Sequence, residues 1–391
     1  MNGKQLLILV VLGLVLGGAG LIVRRNQDKE YQASTLKMGD RLLGDFELSS
    51  VAGLRIASGT NSPLDVIRKG ENWVVVQRGD YPANFSSVSE LVRKLWEMKI
   101  ARPVSAGPSR WPLLELTPTT ATRLDLLDSS GKSLKSLLLG LKRNRDSGDS
   151  SPMGGGSFPD GRFVKVGEIV SLVADPIGSA DLKALDWLSK DFFKVEKPKR
   201  VSVKHLVDTN SYTLSRDTEF AEWKLADATA DEKVDSAKTG AYSSILSYPS
   251  FSDIVLDRQP NQLGLETPTV ATVETTDGFT YVLNIGTLEG ENYPVKLSVN
   301  GTFPRDRTSG KEEKAEDKEK LDKEFKEKLS KLEEKLKTEQ AYSRWTYLVT
   351  KWTVDQLMKE RHTLLVDKKA DEKKEGLPPT IPDPFPELEP K

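Results

Sequence analysis

The chain has 391 residues, enough for about two domains by the usual size of a folding unit. Its 57 Lys and Arg nearly cancel its 58 Asp and Glu, so no net field draws it to nucleic acid. It has no cysteine, which excludes disulfides, thiolate zinc sites, iron–sulfur clusters and thiol nucleophiles, and its two histidines, His205 and His362, leave little for histidine-based metal or acid–base chemistry.

The first element is an uncharged run from Leu6 to Val23, LLILVVLGLVLGGAGLIV. As a helix it would extend about 27 Å, close to the hydrocarbon thickness of a bilayer. A cleaved signal peptide is the rival reading. However, Leu21-Ile22-Val23 continue past the small residues 17–20, and no A-x-A site follows. Residues 1–30 are therefore expected to form an uncleaved transmembrane anchor. Its orientation stays open: Arg24, Arg25 and Lys29 place the following chain in the cytoplasm by charge counting, whereas a short basic start leading straight into an apolar run reads as an export signal.

Beyond the anchor, landmarks recur. Trp73 in ENWVVVQ and Trp223 in AEWKLAD are 150 residues apart, as are Pro118 in LELTPTTATRLDLLD and Pro268 in GLETPTVATVETTDG. Gly131 and Gly278 follow at an offset of 147, then Gly140 and Gly286 at 146. This order predicts two tandem similar α+β units, residues 31–196 and 197–367, each an antiparallel sheet with a packed helix. Strand-like stretches Leu64–Arg68 and Tyr212–Ser215 precede the tryptophans. A helix follows each one. In the first copy Ser87 and Glu90 suggest a capping box, ahead of the stripe Val88, Leu91, Val92, Leu95 and Trp96. In the second, Asp235 is the expected cap, and Ala237, Ala241, Tyr242 and Ile245 form the stripe until Pro249. Hairpins turning at Gly131 and at Asp277-Gly278 come next, then strands in RFVKVGE and YPVKLSV, and closing helix-like segments Asp181–Phe193 and Val354–His362.

The copies are expected to carry insertions at similar places, Asp146–Asp160 in the first and the charged block Lys311–Glu339 in the second. In that block 21 of 29 residues are charged. Glu319–Lys323, Glu324–Lys328 and Glu327–Lys331 are spaced as i, i+4 pairs. Leu321, Phe325, Leu329, Leu332 and Leu336 recur as a narrow coiled-coil-like seam, the candidate partner contact, on a helix about 43 Å long. Docking on a neighbouring domain or partner helix and a solvated spacer stand side by side as readings. Residues 368–391 are proline-rich and read as an extended, disordered tail.

Chemistry is sparse. Gly131-Lys132-Ser133 imitates the end of a phosphate loop, but the position that needs glycine is Leu126. Gly154-Gly155-Gly156 lacks the strand–helix frame and reads as loop. There is no G-x-S-x-G elbow, and no carboxylate pair stands out. No catalytic, cofactor-binding or metal-binding residue is expected.

The span, the tryptophan-ending strand pair, the helix SVSELVRKLWEMKIARPV, the LGLETP landmark, the hairpin ends LLLG and LNIG, and the strand RFVKVGE together resemble the bacterial domain-of-unknown-function family 4340. The second copy fits better, since WPLLELTP in the first lacks the glycine. The resemblance implies a membrane-associated protein of the kind encoded beside ABC-transporter permeases and gliding-motility components, and carries no catalytic residues over. It favours an inner-membrane, single-pass protein with its bulk outside the cytoplasm. The expectation is thus a non-enzymatic accessory or scaffold subunit of a membrane complex, with no cofactor. The alternative is an envelope hydrolase or carbohydrate-binding protein whose site is assembled from distant residues.

Overall fold

The computed structural model describes residues 37–59, 62–146, 157–181, 183–308 and 315–366. The expected anchor at 6–23, the glycine loop at 154–156 and the tail at 368–391 lie outside them. Among the described residues no helix is long and apolar enough to cross a membrane.

The chain divides into two compact units between Ser189 and Lys190. The sequence reading divided it at 196/197. Phe192 and Phe193 explain the earlier boundary, since their rings pack edge-on against Phe251 and tilted on Tyr281 of the second unit.

The first unit holds β1 (Gly53–Ser58), β2 (Leu64–Lys69), β3 (Asn72–Val75), β4 (Tyr81–Pro82), β5 (Ile100–Val104), β6 (Thr122–Leu127), β7 (Ser133–Asp146), β8 (Ser157–Val166) and β9 (Ile169–Val173). They form one antiparallel sheet in the order β4-β3-β2-β1-β6-β7-β8-β9-β5. The second unit holds β10 (Pro198–Lys204), β11 (Tyr212–Ser215), β12 (Lys224–Leu225), β13 (Phe251–Val255), β14 (Thr269–Thr275), β15 (Phe279–Ile285), β16 (Asn292–Gly301) and β17 (Thr346–Thr350). Its order is β12-β11-β10-β14-β15-β16-β17-β13. Apart from the two-residue β4, the two orders correspond strand for strand. Both units are antiparallel sheets with a few helices, an α+β architecture.

Alternation makes the strands. In β15 Phe279, Tyr281, Leu283 and Ile285 are buried, while Thr280, Val282 and Asn284 between them are half-exposed. Register fixes which positions correspond. Val66 pairs with Val75 in the first unit and Leu214 with Leu225 in the second, which puts Trp73 and Trp223 two residues before matching partners. Trp223 is buried, its indole N–H donating to Ser243 Oγ at 3.1 Å. Trp73 is only half-buried, on an outer strand.

One crossing is shared. The turn Pro112–Leu114 lays its last carbonyl over Gly140, so a Cβ there would come 2.2 Å from Leu114 O. The turn Pro260–Leu263 does the same to Gly286, at 2.0 Å from Leu263 O. Each turn ends on a left-handed residue. Gly264 takes that conformation without strain; in the first unit Glu115 is held there at φ +54°.

The helices differ from expectation. Helix α1 (Phe85–Glu97) is capped by Asn84, whose side chain accepts from Ser87 N–H, so the Ser87–Glu90 capping box does not form. Its backbone N–H is itself tied to Trp187 O at 2.8 Å, which fixes the helix start three residues earlier. Val88, Leu91, Val92 and Leu95 are buried; Trp96 lies half-buried under the Arg41 guanidinium. In the second unit Asp235 caps as expected, yet helix α2 spans only Ser236–Thr239 before a 3₁₀ turn begins at Gly240. Ala237 and Ala241 are exposed, and Tyr242 and Ile245 are buried. The closing segments are single short turns of helix: 3₁₀ at Gly178–Asp181 and Ala184–Trp187 in one unit, α at Lys351–Val354 and 3₁₀ at Arg361–Leu364 in the other. The insertions also sit at different places. In sequence the first falls between β7 and β8, with 147–156 outside the described residues, whereas the charged block falls between β16 and β17, the connection that corresponds to the tight β8–β9 turn.

Candidate functional site

The charged block becomes helix α3 (Ala315–Gln340). Residues 311–314 lie outside the description. Of the seam, Leu321 is exposed, while Phe325, Leu329, Leu332 and Leu336 are half-buried. Leu336 lies beside β16, its Cδ2 only 2.9 Å from where a Cβ on Gly301 would sit. Residues at i, i+4, i+7 and i+11 share a face, so Phe325, Leu329 and Leu332 turn the same way as Leu336. The three expected i, i+4 pairs are not closed. Of their lysines Lys328 reaches Asp277 at 3.1 Å; beside them Lys335 reaches Glu196 at 2.7 Å, and Lys320 pairs along the helix with Glu324 at 3.9 Å. Arg307 holds Asp322 at 2.8 Å. At Lys328 a contact to the β14–β15 turn takes the place of pairing along the helix.

At its C-terminal end α3 covers an aromatic patch. Phe279 and Tyr281 stack at 5.9 Å, Phe303 packs edge-on against Phe279, and the Lys335 ammonium sits 5.1 Å over the Phe279 ring. Glu339, 5% exposed, points its carboxylate into this patch. It accepts from Lys194 N–H at 2.9 Å and from the Tyr281 hydroxyl at 2.8 Å. Burial raises the Glu339 pKa despite those donors, and burial with the nearby Glu339 charge raises that of Tyr281. Glu196 is held below its ordinary value, first by its hydrogen bond from Lys335.

Two clefts lie at corresponding ends of the first strand pair of each unit. One, about 520 Å³, is lined by Ile56, Leu64, Arg78, Thr122, Asp181 and Lys183. The other, about 600 Å³, is lined by Val203, Tyr212, Asp208, Asp227, Glu232 and Arg361. In the first, Asp181 meets the Arg162 guanidinium through both oxygens at 3.0 and 3.1 Å, and Lys142 at 2.8 Å. In the second, Arg361 grips Glu232 with Nε and a terminal nitrogen at 2.9 and 2.7 Å, and Asp227 at 2.9 Å. The Arg361 hydrogen bonds hold Glu232 down to about 2. Such a carboxylate stays ionised and cannot serve as a general acid near neutral pH.

The histidines have structural surroundings. His205 Nε2 donates to Lys359 O at 3.0 Å, which fixes its tautomer. His362 is exposed, 3.4 Å from Glu360. Gly131, the imitation phosphate loop, is the turn between β6 and β7, with φ +83°. Among the described residues no three acidic or histidine side chains converge as metal ligands. The Glu339–Tyr281 pair and the Arg361 clamp escaped the sequence reading, because their partners lie 58 and 129 residues apart and no local spacing announces them.

A family model described as a domain of unknown function, DUF4340, matches residues 73–268, just over half of the chain, and the chain belongs to that family. The match begins at Trp73 in β3 and ends at Pro268 before β14, so it crosses the division between the units. No curated protein and no solved structure matches the chain.

Proposed function

We propose that this DUF4340 protein is a non-enzymatic, membrane-anchored scaffold or accessory subunit of an envelope complex, built from two copies of one α+β unit. One observation carries the reading: the carboxylates best placed for chemistry in the two clefts are already engaged by cations of their own unit. Asp181 is held by Arg162 and Lys142, and Asp227 and Glu232 by Arg361. Arranged this way they brace the backbone, tying the ends of each unit to its sheet. The shared strand order and the nearly constant landmark offset support duplication. The uncharged run 6–23 supports a single span, and the family resemblance supports a transporter-like or gliding-type complex with the bulk outside the cytoplasm. The rival hydrolase reading would need a free general acid in one of the clefts, and in the second the Glu232 carboxylate is instead held ionised by Arg361.

Mild detergent extraction followed by intact-mass measurement and identification of co-purifying membrane proteins tests the proposal. The expected result is a chain that retains residues 6–23 and brings membrane proteins with it. A mature N-terminus between Leu21 and Gln27, or a chain recovered alone, contradicts it.

A further inference from the structure

Hydrogen atoms can be counted around Glu339. The Tyr281 hydroxyl oxygen lies 2.8 Å from Glu339 Oε2 and 3.0 Å from Lys194 O, two short contacts between three oxygens. If Glu339 is ionised, the one hydroxyl proton can serve only one contact, and the other brings two acceptors together. If Glu339 carries a proton, it donates to the Tyr281 oxygen, the hydroxyl donates to Lys194 O, and both contacts are satisfied. The carboxylate's other oxygen keeps the Lys194 N–H in either state.

The surrounding charges do not replace that proton. On α3 itself Lys335 is 3.9 Å away, and it is shared with Glu196 at 2.7 Å and Lys194 O at 3.1 Å. The segment before β10 adds the Glu196 charge, which opposes ionisation of Glu339, while the Lys194 ammonium turns to Glu196 at 3.1 Å. β15 contributes Tyr281, and the turn after α3 contributes Tyr342, itself pushed up to about 12 by burial. A buried carboxylate with neutral donors and only a distant, shared cation favours its neutral form.

We propose that Glu339 acts as a proton-responsive latch, its uptake and release of one proton setting how firmly the C-terminal turns of α3 hold to the sheet of the second unit. The sign follows from the raised pKa: docking is firmest on the acid side and weakens as pH rises through the folded value, because the undocked helix gives its proton up more readily.

The test uses the full chain and its Glu339→Gln variant. The amide of that variant donates to Tyr281 and accepts from Lys194 N–H, reproducing the protonated state without titrating. Hydrogen exchange of peptides within 329–340, corrected for intrinsic rate, is followed from about pH 5 to about pH 8. Opening in the wild type should become more frequent as pH rises over that range, while the variant stays flat. Infrared spectra of the wild type at about pH 6, where an ordinary glutamate is almost wholly ionised, should show a protonated-carboxyl band that the variant lacks. A wild-type opening frequency independent of pH, the same pH dependence in both proteins, or absence of that band overturns the proposal.

Discussion

The two units run corresponding strands in the same order but finish one end of the sheet differently. Register places Lys135 of β7 where β15 has Tyr281, since Leu126 pairs with Lys135 as Val273 pairs with Tyr281. Beyond it a bulge shifts β7, so that Ser133 pairs with Leu127 where Thr280 pairs with Glu274. In the first unit this end is polar, and the β8–β9 connection is a tight turn. In the second it is aromatic, and the β16–β17 connection is a helix of 26 residues that covers it. The helix after the first strand pair differs the other way: α1 has 13 residues, α2 four. Helical cover lies over a different connection in each unit, and in the second the aromatic surface lies beneath it. An insertion that reads as surplus to the fold packs, along its C-terminal half, on the second unit's sheet.

The correspondence is hardest to survive at the shared crossing. Gly140→Ala and Gly286→Ala each drive a methyl into a backbone carbonyl, and both should lose more than about 2 kcal/mol in chemical denaturation. Tolerance of one and not the other would break the equivalence of the two units. A smaller effect sharpens the contrast instead. Leu336→Ala should cost about 1–2 kcal/mol, seen as faster hydrogen exchange in β15 and β16 with β6 and β7 unchanged. Equal effects in both hairpins would show that α3 is not specific to the second unit's core.

A third comparison concerns the ends of the units. Ala83 bridges Leu188 as Val234 bridges Leu365, which sets Ala184 against Arg361. The second unit therefore has an arginine where the first has alanine. Glu232 is lowered from 4.5 to about 2, so the clamp's stabilisation is present above the ordinary value and lost as pH falls toward about 2. The stability difference between wild type and Arg361→Ala should accordingly shrink across that acid range. A difference that holds constant down to about pH 2 would remove the ion pair from the account. The smallest effect is expected at the left-handed turn, where Glu115→Gly should gain about 0.5–1 kcal/mol, giving the first unit the residue the second already has at Gly264. A loss there would mean that the Glu115 side chain makes a contact worth more than its strain.

Much of this layout was legible in the chain. The hairpins of β6 with β7 and β14 with β15 follow from alternation and from Gly131 and Gly278, and the seam of α3 from its leucine spacing. What escaped depends on distant partners. Asn84 outcompetes Ser87 as a cap because Trp187 O anchors its backbone, 103 residues away. The second stripe failed because Ala237 and Ala241 fit a helix that Gly240 interrupts. On α3 the expected Glu324–Lys328 pair gave way to Asp277, which no spacing on the helix can reveal. Spacing identified the seam but not the surface it meets, since the Phe279–Tyr281 patch belongs to a different strand.

That seat is the central claim, and hydrogen exchange on the full chain near neutral pH addresses it most directly. If α3 belongs to the second unit, amides within 329–340 should exchange as slowly as those of β15 and β16, and those around Leu321 faster. Exchange of 329–340 at the rate of an unprotected helix, with β15 and β16 still protected, would contradict it.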